Sequence, residues 1–325
     1  MTCSERAGDG ANLLLRLSGK SILVTGAGGF IGSNFLHLLS PYATEVRAIL
    51  GAPGDTVWHP PSRVQTCFAD ILDTPRLTEL MQGADVVVHA AGPPSVRDSF
   101  DEPGKCAAVH VLGTVAVMQA CRAAQVRRIV YLSSAEVYGR PPCNPVREDC
   151  PIRPLSPYGA AKASAEMFVR TMALEGQMEC CILRPFSVFG PRQSPGSLVA
   201  TILSQSMQGE GIWLNDLKPV RDYCYVQDVA EAIAIGSVAD LEDCTCNIGS
   251  GQGIDVQHLA EMILRLQSIE VPVQQKKSSD RPQGREIYEL IADIGRAATL
   301  LGWKPRTSLN AGLEETITWS QQRGS

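Results

Sequence analysis

What this chain lacks excludes several functions before any motif is read. Its eleven cysteines are scattered, with no Cys-x-x-Cys among them. The paired spacing of a zinc site is missing, and no metal is expected. There is no block of Lys or Arg, and the formal net charge is −5. The chain therefore exerts no global pull on nucleic acid, and none is expected as a partner. No apolar run approaches the roughly 20 residues needed to cross a bilayer, so no membrane partner is expected either. Residues 1–10 carry acids and glycines where a leader would have a basic start and an apolar core. A secretory signal is not expected, and the thiols are read as reduced in a cytoplasmic setting. Internal repeats and low-complexity tracts are also missing. What is present, 325 residues with 44% hydrophobic and 19% charged side chains, suffices for one large or two modest globular domains.

The most informative stretch is Thr25-Gly26-Ala27-Gly28-Gly29-Phe30-Ile31-Gly32, directly after the apolar run Ile22-Leu23-Val24. It reads as a strand, a tight turn and a helix start. Such a turn lets a pyrophosphate approach the main chain, with the N–H groups and dipole of the helix end behind it. The spacing Gly26-x-x-Gly29-x-x-Gly32 is not G-x-G-x-x-G, and alone it also fits a plain strand–helix joint.

Through the first half, short apolar runs alternate with helical segments. Strands are predicted at Lys20–Thr25, Val46–Leu50, Val64–Ala69, Asp85–His89, Arg128–Leu132 and Cys180–Leu183. Helices are predicted at Phe30–Leu39, Pro75–Gln82, Lys105–Ala124 and Tyr158–Glu175. Near-continuous apolar strands separated by helices predict an α/β fold with a doubly wound parallel sheet and ligands above the strand carboxyl ends. After Arg184, prolines 185, 191 and 195 mark a change of rhythm. Helices are then predicted at Leu198–Gln208, Val229–Val238, Val256–Leu266 and Ala311–Gln321. The division expected is a dinucleotide-binding domain over 19–185 and a smaller, partly interleaved substrate lobe over 186–325, some of whose segments return to the first sheet.

Tyr158 and Lys162 are four apart and share a helix face. An ammonium near the phenol is expected to lower its pKa from about 10. The phenolate can then take a proton from a sugar hydroxyl while hydride leaves the same carbon. Ser134 follows a strand's carboxyl end, where its hydroxyl can bond the reacting oxygen. Glu136 is read two ways, as a general base or as a loop carboxylate with a structural partner.

These motifs resemble the extended short-chain dehydrogenases/reductases, in the branch of NAD-dependent nucleotide-sugar epimerases and dehydratases typified by UDP-glucose 4-epimerase. The matching pieces are TGAGGFIG (25–32), ADILD (69–73), DVVVHAAG (85–92), SSAEVYG (133–139), SPYGAAK (156–162) and LRPFSVFGPRQ (183–193). They continue with RDYCYVQDVAEAI (221–233), CNIGSG (246–251) and LLGWKP (300–305). The resemblance implies a Rossmann fold and Tyr158 as the acid/base, assisted by Lys162 and Ser134. It implies a cofactor site of Gly26, Gly29, Phe30, Ile31 and Gly32 at the pyrophosphate, and Asp70 and Ile71 along the adenine. Ala90, Ala91, Gly92 and Pro185 would line the cofactor further on, together with Tyr158 and Lys162. Arg97, Ser134, Ser187, Arg192, Arg221 and Arg281 are implied for a nucleotide-diphosphate sugar, and a homodimer through helices near 105–124 and 158–175.

The chain departs from its relatives at several places. After strand two it reads Leu50-Gly51-Ala52 with Asp55 later, where an acid usually grips the ribose. NAD is the expected cofactor, with NADP left open. His110 stands where many relatives have Asn and is read first as a core histidine, with a hydrogen-bonding or site-tuning role as alternatives. Ser187 replaces a frequent Asn, and Gln227 a frequent acid. Ala135-Glu136 keeps one of the two acids of the 4,6-dehydratases. The function expected is NAD-dependent epimerisation at C4 through a 4-keto sugar. A dehydratase or decarboxylase using Glu136, a 4-keto reductase and a catalytically silent dinucleotide-binding protein are the alternatives.

Overall fold

The computed structural model describes residues 16–41, 45–51, 60–241, 243–276 and 284–322. Asp55 and Arg281 lie outside the described residues. The first half builds β1 (Ser21–Thr25), α1 (Phe30–Leu39), β2 (Glu45–Leu50), β3 (Gln65–Phe68), α2 (Thr74–Met81) and β4 (Val86–His89). The short α3 (Asp98–Asp101) and α4 (Pro103–Ala107) follow, then a π-helical turn (Ala108–Leu112) that runs into α5 (Gly113–Ala123). β5 (Arg128–Leu132), α6 (Pro157–Glu175) and β6 (Glu179–Pro185) complete it. All five residues of β1 and of β5 are buried. Strands of this kind need cover on both faces, and helices provide it.

The second half contributes β7 (Ser187–Phe189), α7 (Leu198–Gln208), β8 (Ile212–Leu214), β9 (Val220–Tyr225), α8 (Val226–Val238) and β10 (Asp243–Ile248). It ends with β11 (Gly253–Asp255), α9 (Val256–Gln267), β12 (Val273–Gln275), β13 (Glu289–Leu290), α10 (Gly295–Leu300) and α11 (Leu309–Gln321). The main sheet has seven strands in the order β10-β6-β5-β4-β1-β2-β3, all parallel. The doubly wound sheet expected from the strand rhythm is present. β10 is a late segment that returns to it, Cys244 opposite Cys181. A smaller sheet, β11-β9-β13 with β7 on β9, is built from the later half of the chain.

Two predicted elements change on sight of the fold. The sixth strand runs on through Arg184 and Pro185, because Pro185 sits at the strand's last position, where a missing N–H is tolerated. The helix expected from Lys105 begins at Pro103 and carries the π-turn. Pro103–Ala123 is also long and apolar enough to cross a membrane by length and composition, which corrects the reading that no run approaches that length. Half of it is buried in the fold, as expected for a core helix packed between sheet and solvent.

Register carries the strand ends to one rim. Thr25 pairs with His89, His89 with Tyr131 and Tyr131 with Ile182. The next residues along each strand therefore emerge side by side. The LLGWKP segment packs into the core of the main sheet, against α8. Trp303 is 1% exposed and donates Nε1–H to the Asp228 carbonyl at 2.9 Å, while the Asp228 carboxylate accepts from Thr307 N at 3.0 Å. Replacing Trp303 by Ala is expected to lower stability by about 3–5 kcal/mol, read from the midpoint of urea unfolding.

Candidate active site

The turn after β1 is built by close backbone approach. Gly26 has φ +67°, and a Cβ there would lie 2.6 Å from the Ala90 carbonyl carbon. A Cβ on Gly32 would sit 2.3 Å from the Gly26 oxygen. Glycine is thus required on both sides of the turn, and Gly29 N closes it onto Gly26 O at 3.0 Å. α1 starts with no side-chain cap and no acidic residue in its first turn. No side chain competes there for the first amides, so the helix end suits an anion. Phe30 and Ile31 are half-buried beside it. Ala90 follows β4, its N–H bonded to Thr25 O at 3.2 Å, and Ala91 and Gly92 continue along the rim. Asp70 is exposed and accepts from Leu72 N at 2.9 Å, while Ile71 packs against Gly113.

The candidate catalytic residues meet at the same rim. Ser134 caps the short turn Ala135–Tyr138, its Oγ accepting from Glu136 N at 3.2 Å. The first turn of α6 lies against that turn, since a Cβ on Gly159 would come 2.6 Å from Glu136 O. Tyr158 is buried, its phenol near enough to the Ser134 hydroxyl and to Glu136 for both to act on it. The structure therefore brings Ser134, Glu136 and Tyr158 together, with Lys162 one turn below.

The expected effect of Lys162 on the phenol is corrected. Burial pushes the Tyr158 hydroxyl above its usual pKa, the Ser134 hydrogen bond pulls it down, and Glu136 and Cys106 raise it. Lys162 Nζ is committed elsewhere, donating to Leu132 O at 2.7 Å and lying 5.1 Å from the centre of the Tyr131 ring. Burial brings Lys162 itself down to about 8, although Glu166 opposes this.

Behind these groups lies a buried polar network that the sequence did not single out. Glu166 takes two hydrogen bonds from Arg184, from Nε at 2.9 Å and Nη2 at 2.6 Å, and a short one from Ser133 Oγ. Arg184 also donates to Tyr138 OH at 2.8 Å, which donates to Asn247 Oδ1 at 2.6 Å. The i, i+4, i+8 series Tyr158, Lys162, Glu166 was the available signal. A second such residue is His89, whose neutral ring bridges Thr25 Oγ1 (2.7 Å) and Thr114 Oγ1 (3.0 Å). His110, read as a core histidine, is indeed buried, and its ring stands edge-on to Tyr158 with centroids 5.3 Å apart.

The candidate substrate residues are more dispersed. Arg192, at φ +69°, reaches Asn34 Oδ1 at 3.3 Å and so ties its loop to α1. Arg221 is paired with Glu286 at 2.9 Å. Beside it, buried Asp222 gathers Ser250 N, Gly251 N and Ala292 N and fixes the CNIGSG turn. Ser187 opens β7, opposite Tyr223. Pro185 is buried at the end of β6, and Arg97 is exposed at the start of α3. Among the described residues, no group of three or more His, Cys, Asp or Glu side chains is placed to hold a metal.

The model of the NAD dependent epimerase/dehydratase family matches residues 22–249. The chain belongs to that family. UDP-glucose 4-epimerase of Mycolicibacterium smegmatis is 30% identical over 313 residues, spanning 93% of this chain and 98% of its own. dTDP-glucose 4,6-dehydratase of Streptomyces antibioticus is 29% identical over 316 residues, 92% of each chain. Among solved structures, UDP-glucuronic acid 4-epimerase from Bacillus cereus, in complex with UDP-glucuronic acid and NAD, superposes with a TM-score of 0.85 at 29% identity. It covers 94% of this chain and 100% of its own. The family resemblance carried by the motifs is thereby established, along with NAD as the cofactor of this epimerase/dehydratase chain.

The buried lysine gives a stability test. Folded Lys162 releases its proton at about 8, against 10.5 for an ordinary lysine. Across that window the unfolded chain holds a proton that the folded chain lacks, so this group favours folding increasingly as pH rises. Wild type is expected to gain stability relative to Lys162→Met between about pH 8 and about pH 10. Urea unfolding of both proteins at each end of the window measures it, and a constant difference would contradict the assignment.

Proposed function

We propose that this chain is an NAD-dependent nucleotide-sugar epimerase acting at C4. The observation that carries the reading is the convergence of Ser134, Glu136, Tyr158 and Lys162 on the rim that also holds the glycine turn. Bound NAD supplies the hydride acceptor and, on return, the hydride donor. The pyrophosphate rests on the amides around Gly26, Gly29, Phe30, Ile31 and Gly32, and Asp70 and Ile71 flank the adenine. Ala90, Ala91, Gly92 and Pro185 line the remaining cofactor path.

Tyr158 Oη takes the proton of the C4 hydroxyl and later returns it. Ser134 Oγ holds the same oxygen by a hydrogen bond, which orients it for transfer. Lys162 keeps positive charge beneath the pair. Arg192, Arg221 and Arg281, with Arg97 and Ser187, are assigned to the nucleotide and diphosphate, which guanidinium groups bind in a fork. On this reading Arg221 exchanges Glu286 for substrate. The division into a dinucleotide-binding domain and a substrate lobe near residue 185 belongs to the same proposal, as does a cytoplasmic setting.

Mass spectrometry of the purified protein is expected to find NAD. Incubation with UDP-, GDP-, CDP- and dTDP-sugars is expected to show C4 epimerisation of one of them. Tyr158→Phe should cut turnover by about 10²-fold or more with NAD retained, and a fully active Phe variant would remove Tyr158 from its role. Glu136 lies close enough to act on Tyr158, which favours dehydration or decarboxylation as a second reading. Solvent deuterium entering C5, and lost in Glu136→Gln, would select it.

A homodimer through α5 and α6 is part of the proposal. The two helices pack side by side; Met167 and Leu174, seven residues apart on one face of α6, are exposed, Leu174 at 83%, as is Leu112 in the π-turn that leads into α5. Solitary apolar side chains need no explanation, but exposed ones repeated along one face of a helix suit an interface. Light scattering after gel filtration is expected to give the mass of a dimer, and Leu174→Glu to shift it toward the monomer.

A further inference from the structure

Two neutral histidines are buried at this rim, and only one has both ring nitrogens occupied. His89 is bonded on Nδ1 and Nε2. His110 is 2% exposed, and its Nε2 lies 3.0 Å from the Pro93 carbonyl oxygen. A carbonyl only accepts, so Nε2 carries the hydrogen. Burial, aided by the charge of Lys162, lowers the ring's pKa to about 3 and keeps it neutral. Nδ1 is therefore a bare acceptor, and it has no hydrogen-bond partner among the described residues. Buried acceptors are rarely left unpaired, because their hydration is lost without replacement.

The position of that acceptor indicates what completes it. A Cβ on Gly92 would come within 2.2 Å of His110 Cε1 and 2.5 Å of Nδ1. The same edge therefore faces the backbone leaving β4, beyond Ala90, which packs on Gly26. The ring also stands at 85° to that of Tyr158. Nδ1 thus lies on the ring edge that faces Gly92, at the end of β4, on a ring that stands edge-on to the Tyr158 phenol.

We propose that His110 contacts the dinucleotide, its Nδ1 accepting a hydrogen bond from the nicotinamide-riboside half of NAD. The donor is a ribose hydroxyl or the carboxamide N–H. This rests on the reading of Gly26–Gly32 and Tyr158 given above. The contact positions the nicotinamide side of the cofactor and performs no proton transfer.

Calorimetric titration of NAD-free protein with NAD, ADP-ribose and ADP tests it. His110→Leu is expected to weaken NAD about tenfold and to leave ADP unchanged. ADP-ribose weakens in parallel if the ribose hydroxyl is the donor, and is unaffected if the carboxamide is. His110→Asn, which restores a side-chain acceptor, is expected to recover most of the NAD affinity. A second measurement needs no substitution. In nitrogen NMR of the wild type, NAD should move the His110 Nδ1 resonance upfield, ADP should not, and His89 should stay in place. An unmoved Nδ1 resonance, unchanged NAD affinity in His110→Leu, or equal losses for NAD and ADP would overturn the inference alone. Failure of the wild type to bind NAD would overturn the underlying reading and this inference with it.

Discussion

The Glu166 carboxylate and the Arg184 guanidinium meet face to face in the interior, 2.6 Å apart at their closest, both nearly devoid of solvent contact. Such a pair adds little net stability over an apolar substitute, yet removing one partner strands a buried charge at a cost of about 3–5 kcal/mol. Its value here is geometric. Tyr158, Lys162 and Glu166 occupy successive turns of one face of α6, so anchoring the last sets the rotation of the first two. Ser133 joins the same carboxylate from the end of β5. Helix and strand are thereby clamped at the point where Ser134 must reach the Tyr158 hydroxyl. The ion pair does no chemistry itself, but the alignment of the phenol depends on it.

Burial has opposite effects on the two titrating groups above that clamp. It raises the phenol and lowers the ammonium, so each is driven toward its neutral form. The protein alone therefore does not hold a ready phenolate. On the proposed function, the positive charge of an oxidised nicotinamide ring near the hydroxyl would favour the phenolate. On that reading, acid–base competence would follow cofactor loading.

Much of the architecture was legible in the chain because local pattern and tertiary role agree there. Phe30–Leu39 and Leu198–Gln208 begin and end where apolar spacing and flanking Gly or Ser indicate. Ser134, Glu136, Tyr158 and Lys162 were readable because spacing and strand-end position are sequence properties. Four features were not fully so. That a later segment returns to the first sheet was expected, but that it is β10, beside β6, is a pairing of distant segments that periodicity cannot see. The direction of Lys162 was misjudged because its carbonyl partner lies on a different strand. The open acceptor of His110 depends on Pro93 taking the opposite nitrogen, which no spacing records. Arg221 was chosen for its charge, and only the fold shows that Glu286 already occupies it.

The placement of β10 also bears on how the chain acquires its structure. Until residue 248 has emerged from the ribosome, β6 is the outermost strand, with one row of backbone amides and carbonyls unpaired. Such an edge invites pairing with another chain. A fragment ending near 185 would bear that hazard permanently, although it contains the whole glycine turn after β1. The two halves of the polypeptide are thus not separate in assembly: the later half must be made before the earlier one is sealed.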